Sequence, residues 1–159
     1  MKRKNTLVIS AFPGTGKTKF YNDWIQGKHP EYDLILDSDS SIFKWIRIRG
    51  IHNEKLINRE FPNNYIEHIK SNIGKADIIF VSTHKEVIQL LKQNDIDFIL
   101  VYPSNTPEIK SEYLKRYRDR GSDDKFIKLL DKLWDSFIND LVNIKDNNKI
   151  ILKENEYIR

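Results

Sequence analysis

The chain has 159 residues, 39% of them hydrophobic and 31% charged, with a net charge of +4. That length fits one domain spanning 1–159 with a real core, and no apolar run approaches the roughly 20 residues needed to cross a bilayer. The lack of cysteine excludes disulfides, thiolate metal sites and thiol nucleophiles, while the modest basic excess suits phosphate-bearing ligands or nucleic acid without selecting either.

The basic start, Met1 to Asn5, leads straight into a strand-like run and lacks the longer apolar core of a signal peptide, which predicts a cytoplasmic protein. Thr6 to Ser10 forms the first predicted strand, rich in β-branched residues, and Lys17 to about Ile25 has helical spacing with Phe20, Trp24 and Ile25 on one face. A second strand, Leu34 to Leu36, runs into Asp37 and Asp39. The stretch from Ser40 to Gly74 is longer than one crossover needs and reads as an elaboration over the sheet, about 40–74, carrying Trp45, Arg47, Arg49 and Arg59. "ADIIFVST" gives a third strand, "DFILVYP" a fourth that Pro103 ends, and "KIILK" a fifth. The segments between them, "PNNYIEHIKSNI", "KEVIQLLKQN" and "DKFIKLLDKLWDSFINDLVNI", repeat apolar residues at helical spacing. Strands that alternate with helices in this way predict a mostly parallel sheet covered on both faces, an α/β three-layer sandwich.

Between the first strand and first helix lies "AFPGTGKT", the strand, glycine loop and helix order of a phosphate-binding loop. Successive backbone amides in such a loop wrap anionic phosphates, and the helix N-terminus adds its positive dipole end. Pro13, Gly14, Thr15, Gly16, Lys17 and Thr18 are therefore the candidate nucleotide-binding residues. Lys17 is placed to reach the β- and γ-phosphates and Thr18 to offer its hydroxyl to Mg²⁺. Alanine at position 11 stands where G-x-x-x-x-G-K-[ST] has its first glycine. The alternative reading is a glycine-rich turn with an incidental Lys-Thr pair.

The third strand ends "FVSTH", with no carboxylate of the kind that motor ATPases place there, and the guanine signature N-K-x-D of GTPases is absent. The acidic edge is instead "LILDSDSS", expected at the carboxyl end of a strand adjoining the glycine loop. One carboxylate there can hold Mg²⁺, for which Asp37 is the candidate. The other, Asp39, can orient or deprotonate an acceptor hydroxyl, and the sequence leaves open which of the two takes which role. The competing reading is a polar turn with Asp39 or Ser40 capping a helix. In "EYLKRYRDRG" helical spacing puts Arg116 and Arg120 one turn apart on one face, ahead of Gly121. Such a segment, about 112–124, reads as a lid whose arginines close over phosphoryl oxygens, or else as a solvated charged helix.

Loop, aspartates and arginine-rich segment together resemble the nucleoside, nucleotide and shikimate kinase branch of P-loop proteins. "DSD" is similar to the aspartate pair that shikimate kinases use for Mg²⁺ and the acceptor hydroxyl. The run "FPNNYIEHIK … IIFVSTHKEV … VYPS … YLKRYRDRG" resembles small kinase-like proteins of low-GC Gram-positive bacteria and their phages. Resemblance to the kinase branch implies a P-loop NTPase sheet of order 2-3-1-4-5, an acceptor-binding insertion after strand two and a lid before the last helix. It also implies ATP and Mg²⁺ as cofactors, and contacts to the ATP base from "KENEY". An Asp-Gly-Phe-Pro-Arg-like run after strand three is missing, which disfavours an AMP-type acceptor.

The expected activity is phosphoryl transfer from ATP to a small hydroxyl or phosphate acceptor, a nucleoside or nucleoside monophosphate, with Lys17, Asp39, Arg116 and Arg120 catalytic. Trp45, Arg47, Arg49 and Arg59 are candidates for the acceptor, the arginines as bidentate phosphate ligands. A polynucleotide 5′-kinase and a regulatory nucleotide-binding module are the rivals. Neither monomer nor homodimer is favoured. "THKE", Thr83 to Glu86, fits a capping box, with a lesser possibility that Ser82 or His84 touches an acceptor. His29, His52 and His68 show no metal-ligand spacing.

Overall fold

The computed structural model describes residues 5–38, 45–48, 51–57, 63–145 and 147–158, with backbone alone for 45–48 and 51–57. Its strands are β1 (Leu7–Ala11), β2 (Ile35–Asp37), β3 (Trp45–Ile48), β4 (Ile51–Ile57), β5 (Ile78–Val81), β6 (Ile99–Pro103) and β7 (Asn148–Leu152). Its helices are α1 (Lys17–Ile25), α2 (Asn63–Asn72), α3 (Lys85–Gln93), α4 (Pro107–Asp119) and α5 (Asp124–Val142).

Five strands pair in parallel in the order β2-β5-β1-β6-β7, which is 2-3-1-4-5 when the strands of this sheet alone are counted. The expected order is thus observed. Successive residues of each strand feed opposite faces: Val8, Ile79, Val81, Leu100 and Tyr102 join one core, Ile9, Ala11, Ile78, Phe80 and Val101 the other. Among the described residues, four helices cover the first face. They contribute Tyr65, Ile66 and Ile69 from α2, Val87 and Leu91 from α3, Tyr113 and Tyr117 from α4, and Leu130, Trp134 and Ile138 from α5. α1 covers the second with Phe20, backed by the half-buried Tyr21 and Trp24. Strands buried from both sides have no polar face to show, which is why they read as near-continuous apolar runs.

The insertion contains a second, two-stranded antiparallel sheet of β3 and β4, with a register irregularity between Trp45 and Ile46. No strand was expected there. Among the described residues, no helix is long and apolar enough to cross a membrane.

β1 is the point where the winding reverses, because it pairs with β5 on one side and β6 on the other. In an open parallel sheet the crevice beyond the carboxyl end of such a strand is the ligand-binding position. The glycine loop follows β1 there.

Candidate functional site

The loop begins where β1 ends. Ala11 is fully buried and pairs with Val101, so it remains a strand residue and its Cβ is accommodated. Positive φ falls instead on Gly14 (88°) and Gly16 (103°), conformations that a side chain disfavours. Both glycines also face aromatic rings. A Cβ on Gly14 would lie 2.9 Å from Cε1 of Tyr117 and 3.1 Å from Cδ2 of Tyr113, and one on Gly16 would lie 3.1 Å from Cδ1 of Tyr157.

Five consecutive carbonyls of the loop accept hydrogen bonds. Phe12 O takes the hydroxyl and amide of Thr15 at 2.7 and 3.3 Å. Pro13 O takes the Tyr117 hydroxyl at 2.7 Å, and Gly14 O takes Nη1 of Arg116 at 2.7 Å. Thr15 O takes the Ile158 amide and Gly16 O the Phe20 amide, each at 2.9 Å. A trans peptide points its N–H opposite to its C=O. Holding these carbonyls from behind therefore turns the amides of Gly14, Gly16 and Lys17 toward the other side of the loop. There they join α1, whose first turn has no acidic residue and whose N-cap, Gly16, supplies no side-chain cap. The first amides of a helix have no intrahelical acceptor, so the loop and helix end present one anion-accepting surface. Lys17 is half-buried at its rim and Thr18 is exposed.

The two arginines that helical spacing puts on one face are separated by the structure. Arg116 lies inside α4 with its side chain 10% exposed, whereas Arg120 is the exposed C-cap of that helix. The guanidinium of Arg116 packs between the rings of Tyr113 and Tyr157, with centroids at 4.4 and 3.8 Å, and Nη2 donates to Glu156 O at 3.1 Å. Arg120 donates Nε to Ser122 Oγ at 2.9 Å and lies 5.0 Å from the Tyr117 centroid. The segment expected as a lid is built as follows. From Glu112 to Asp119 it is the core-packed end of α4, because Tyr113 and Tyr117 are fully buried. Their burial pushes both phenols up, Tyr113 to about 12.

At the acidic edge, Asp37 pairs with Phe80 as the last residue of β2. The expectation that its strand adjoins the loop is also corrected, since β5 lies between β2 and β1. Beyond Asp37, Ser38 is buried, donates its amide to Phe80 O at 2.9 Å and receives the Tyr65 hydroxyl on its own carbonyl at 3.0 Å. Its Oγ lies 2.9 Å from Nε2 of His68. Burial lowers the His68 pKa below its ordinary value. Nothing in the sequence analysis singled out Ser38, Tyr65 or His68 together. The available signal was the three-residue spacing of Tyr65 and His68 on one face of α2. Asp39, Arg49 and Arg59 lie outside the described residues, and Trp45 and Arg47 fall on β3, where only the backbone is described.

β5 ends at the same edge. Ser10 Oγ donates to Ser82 O at 2.7 Å, and Ser82 Oγ lies 3.0 Å from Nδ1 of His84. The capping box is corrected by one residue: His84, not Thr83, occupies the N-cap of α3 and makes no side-chain capping bond. Glu86 still falls in the first turn, where its charge suits the helix dipole. A side-chain cap does form at α4, where Thr106 accepts from the Ile109 amide at 3.2 Å. No cluster of three or more potential metal ligands occurs among the described residues. The "KENEY" segment, Lys153 to Tyr157, lies against the back of the loop through Glu156, Tyr157 and the following Ile158.

Neither a family model nor a curated protein matches this sequence.

Proposed function

We propose that the chain is a P-loop phosphotransferase that uses ATP and Mg²⁺ to phosphorylate a small acceptor of the nucleoside or nucleoside monophosphate class. The observation that carries this reading is that Pro13 O, Gly14 O and Thr15 O are held by Tyr117, Arg116 and Ile158, partners from outside the loop, which turns the amides of Gly14 and Gly16 away from those partners. A turn that only joined a strand to a helix closes on its own bonds, as Phe12 O and Gly16 O do here, and has no need of these three. The phosphates fit the cradle by chemistry: amides, a helix N-terminus and Lys17 all favour negative charge. Mg²⁺ takes one or two protein oxygens when phosphates complete its shell. Thr18 and Asp37 are the residues we assign to it, and when bound it neutralises charge on the transferring oxygens.

Lys17 then holds the β- and γ-phosphates, and Asp39 orients or deprotonates the acceptor hydroxyl. Of the two arginines, we assign phosphate charge to Arg120, whose residue is exposed at the turn between α4 and α5. A second reading, a nucleotide-binding module without transfer, is favoured by one observation: β5, the strand beside β1, continues into Ser82 and not into a carboxylate.

The test is a phosphotransfer screen with Mg²⁺ and γ-labelled ATP against nucleosides, nucleoside monophosphates, shikimate and 5′-hydroxyl oligonucleotides, with Lys17→Ala as control. Label on one acceptor, absent in the control, is the expected result. ATP binding without any labelled acceptor would favour the binding module. In a kinase, Asp39→Asn retains ATP binding and loses turnover.

A further inference from the structure

Arg116 sits in a costly place. Its side chain and that of Glu112 are 10% and 18% exposed, with Nη2 and Oε2 3.4 Å apart. Two polar atoms of this pair, Glu112 Oε2 and Arg116 Nε, are buried without a hydrogen-bond partner. Taking such a pair out of water returns little net stability, and leaving polar atoms unpaired makes the return worse. Stability alone is a poor reason for the cluster.

What the guanidinium does is join two parts of the chain. Nη1 holds Gly14 O and Nη2 holds Glu156 O, so one rigid fork bridges the glycine loop and the segment after β7. That segment is fixed independently on both sides. Asn155, with a φ of 63°, donates its amide to Glu112 Oε1 at 2.8 Å, and the Lys153 amide donates to Glu156 Oε1 at 2.7 Å. Two residues beyond Glu156, the Ile158 amide reaches Thr15 O at 2.9 Å, while the Tyr157 ring covers the α-carbon side of Gly16. Glu112 thus binds both the arginine and the segment that the arginine grips.

Resting on the nucleotide-binding reading, we propose that Arg116, together with the segment Lys153 to Ile158, is a positioning clamp for the phosphate loop and does not touch the transferred phosphoryl group. Each of its two arms fixes one loop carbonyl, Arg116 that of Gly14 and Ile158 that of Thr15. The amides of Thr15 and Gly16 belong to those same peptide units. The segment after β7 therefore sets the shape of a loop more than a hundred residues earlier, and loosening either arm loosens the loop.

The experiment uses the full chain as wild type, Arg116→Ala, Arg116→Lys, Ile158→Pro and Tyr117→Phe. Amide exchange is read without nucleotide at Thr15, which donates to Phe12 O, and at Ile158 wherever its N–H is retained. ADP and ATP dissociation constants are then measured with turnover. Arg116→Ala and Ile158→Pro are expected to speed exchange at Thr15 and to weaken ADP and ATP equally, by about tenfold, as loss of one such charged or backbone hydrogen bond implies. Arg116→Lys, able to reach one carbonyl but not both, recovers part of the loss. Unchanged exchange at Thr15 overturns the clamp. So does a loss of turnover or ATP affinity with ADP affinity intact, which would put Arg116 on the γ-phosphate. If Arg116→Ala does not fold, Arg116→Lys and Ile158→Pro carry the same comparison. A wild type that binds neither nucleotide sinks the nucleotide reading alone, because exchange at Thr15 still decides the clamp.

Discussion

Ser38 Oγ and His68 Nε2 lie 2.9 Å apart, tying the residue after β2 to the middle of α2. The Tyr65 hydroxyl, one helical turn away, holds the carbonyl of the same serine. The residue immediately following Asp37 is therefore held at two atoms, its hydroxyl and its carbonyl. Asp37 and Asp39, the carboxylates assigned to Mg²⁺ and acceptor, flank this anchored residue in the sequence.

This anchor makes stability pH-dependent in a definite direction. Burial lowers the His68 pKa below 6.5, so the folded state resists protonation while the unfolded state accepts it. Stability is full above the unfolded value and declines as the pH falls below it, until the folded imidazole also protonates. Thermal melts of wild type and His68→Gln across the mildly acid range should show a steeper decline for the wild type. Parallel slopes would remove His68 as the cause.

Gly14 and Gly27 separate two costs that usually travel together. Both have positive φ, 88° and 83°, so alanine at either is conformationally strained. Only at Gly14 does the new Cβ also meet neighbours, 2.9 Å from Tyr117 and 3.1 Å from Tyr113; at Gly27 nothing lies within 4 Å. Gly27→Ala is expected to cost about 1 kcal/mol in denaturant unfolding, and Gly14→Ala about 2–4 kcal/mol, the excess being overpacking against buried rings. Equal losses would mean that the rings yield freely.

The same rings predict behaviour in alkali. Burial raises the Tyr113 and Tyr117 phenols above 10, the former to about 12, so the folded state keeps them neutral where the unfolded state ionises them. Their contribution is complete below about pH 10 and is lost as the pH rises toward 12. Tyrosinate absorbance should rise in step with loss of structure in the wild type. Tyr117→Phe removes one such phenol and should shift the alkaline midpoint upward relative to its stability at neutral pH. Early ionisation with the fold intact would contradict the burial.

Local features were legible in the sequence, and distant partnerships were not. β1, the glycine loop and α1 could be read because each is announced within a few residues by β-branched content, glycines and helical spacing. Alternation of strands and helices was enough for a parallel sheet, and the 2-3-1-4-5 order came with the resemblance. The β3–β4 pair was missed although "WIRIRGIHNEKLI" opens with apolar and cationic residues in alternation around a glycine, a hairpin signal obscured by treating the stretch as an elaboration. Tyr113, Arg116 and Tyr117 do share a helix face by spacing. The targets of Arg116 and Tyr117, the carbonyls of Gly14 and Pro13, lie 102 and 104 residues away, and no local pattern announces them. Helical spacing grouped Arg116 with Arg120 because it does not show that α4 ends at Asp119.

Nucleotide binding itself should appear as stabilisation. A ligand that binds only the folded chain adds RT ln(1 + [L]/Kd), about 2.7 kcal/mol at a hundred times Kd. MgATP and MgADP should therefore raise the melting temperature of the wild type by several degrees. Lys17 opens α1, where its charge adds to the anion-accepting helix end, and Phe20, the buried anchor of that helix, is untouched by its truncation. Lys17→Ala, with its own ligand-free melting temperature as the baseline, should lose most of the nucleotide-induced rise. Ile25, 62% exposed at the other end of α1, provides the control: Ile25→Ala should retain the full rise. A nucleotide shift that survives Lys17→Ala undiminished would place the phosphates away from the loop, and would leave its five anchored carbonyls as scaffolding for the turn alone.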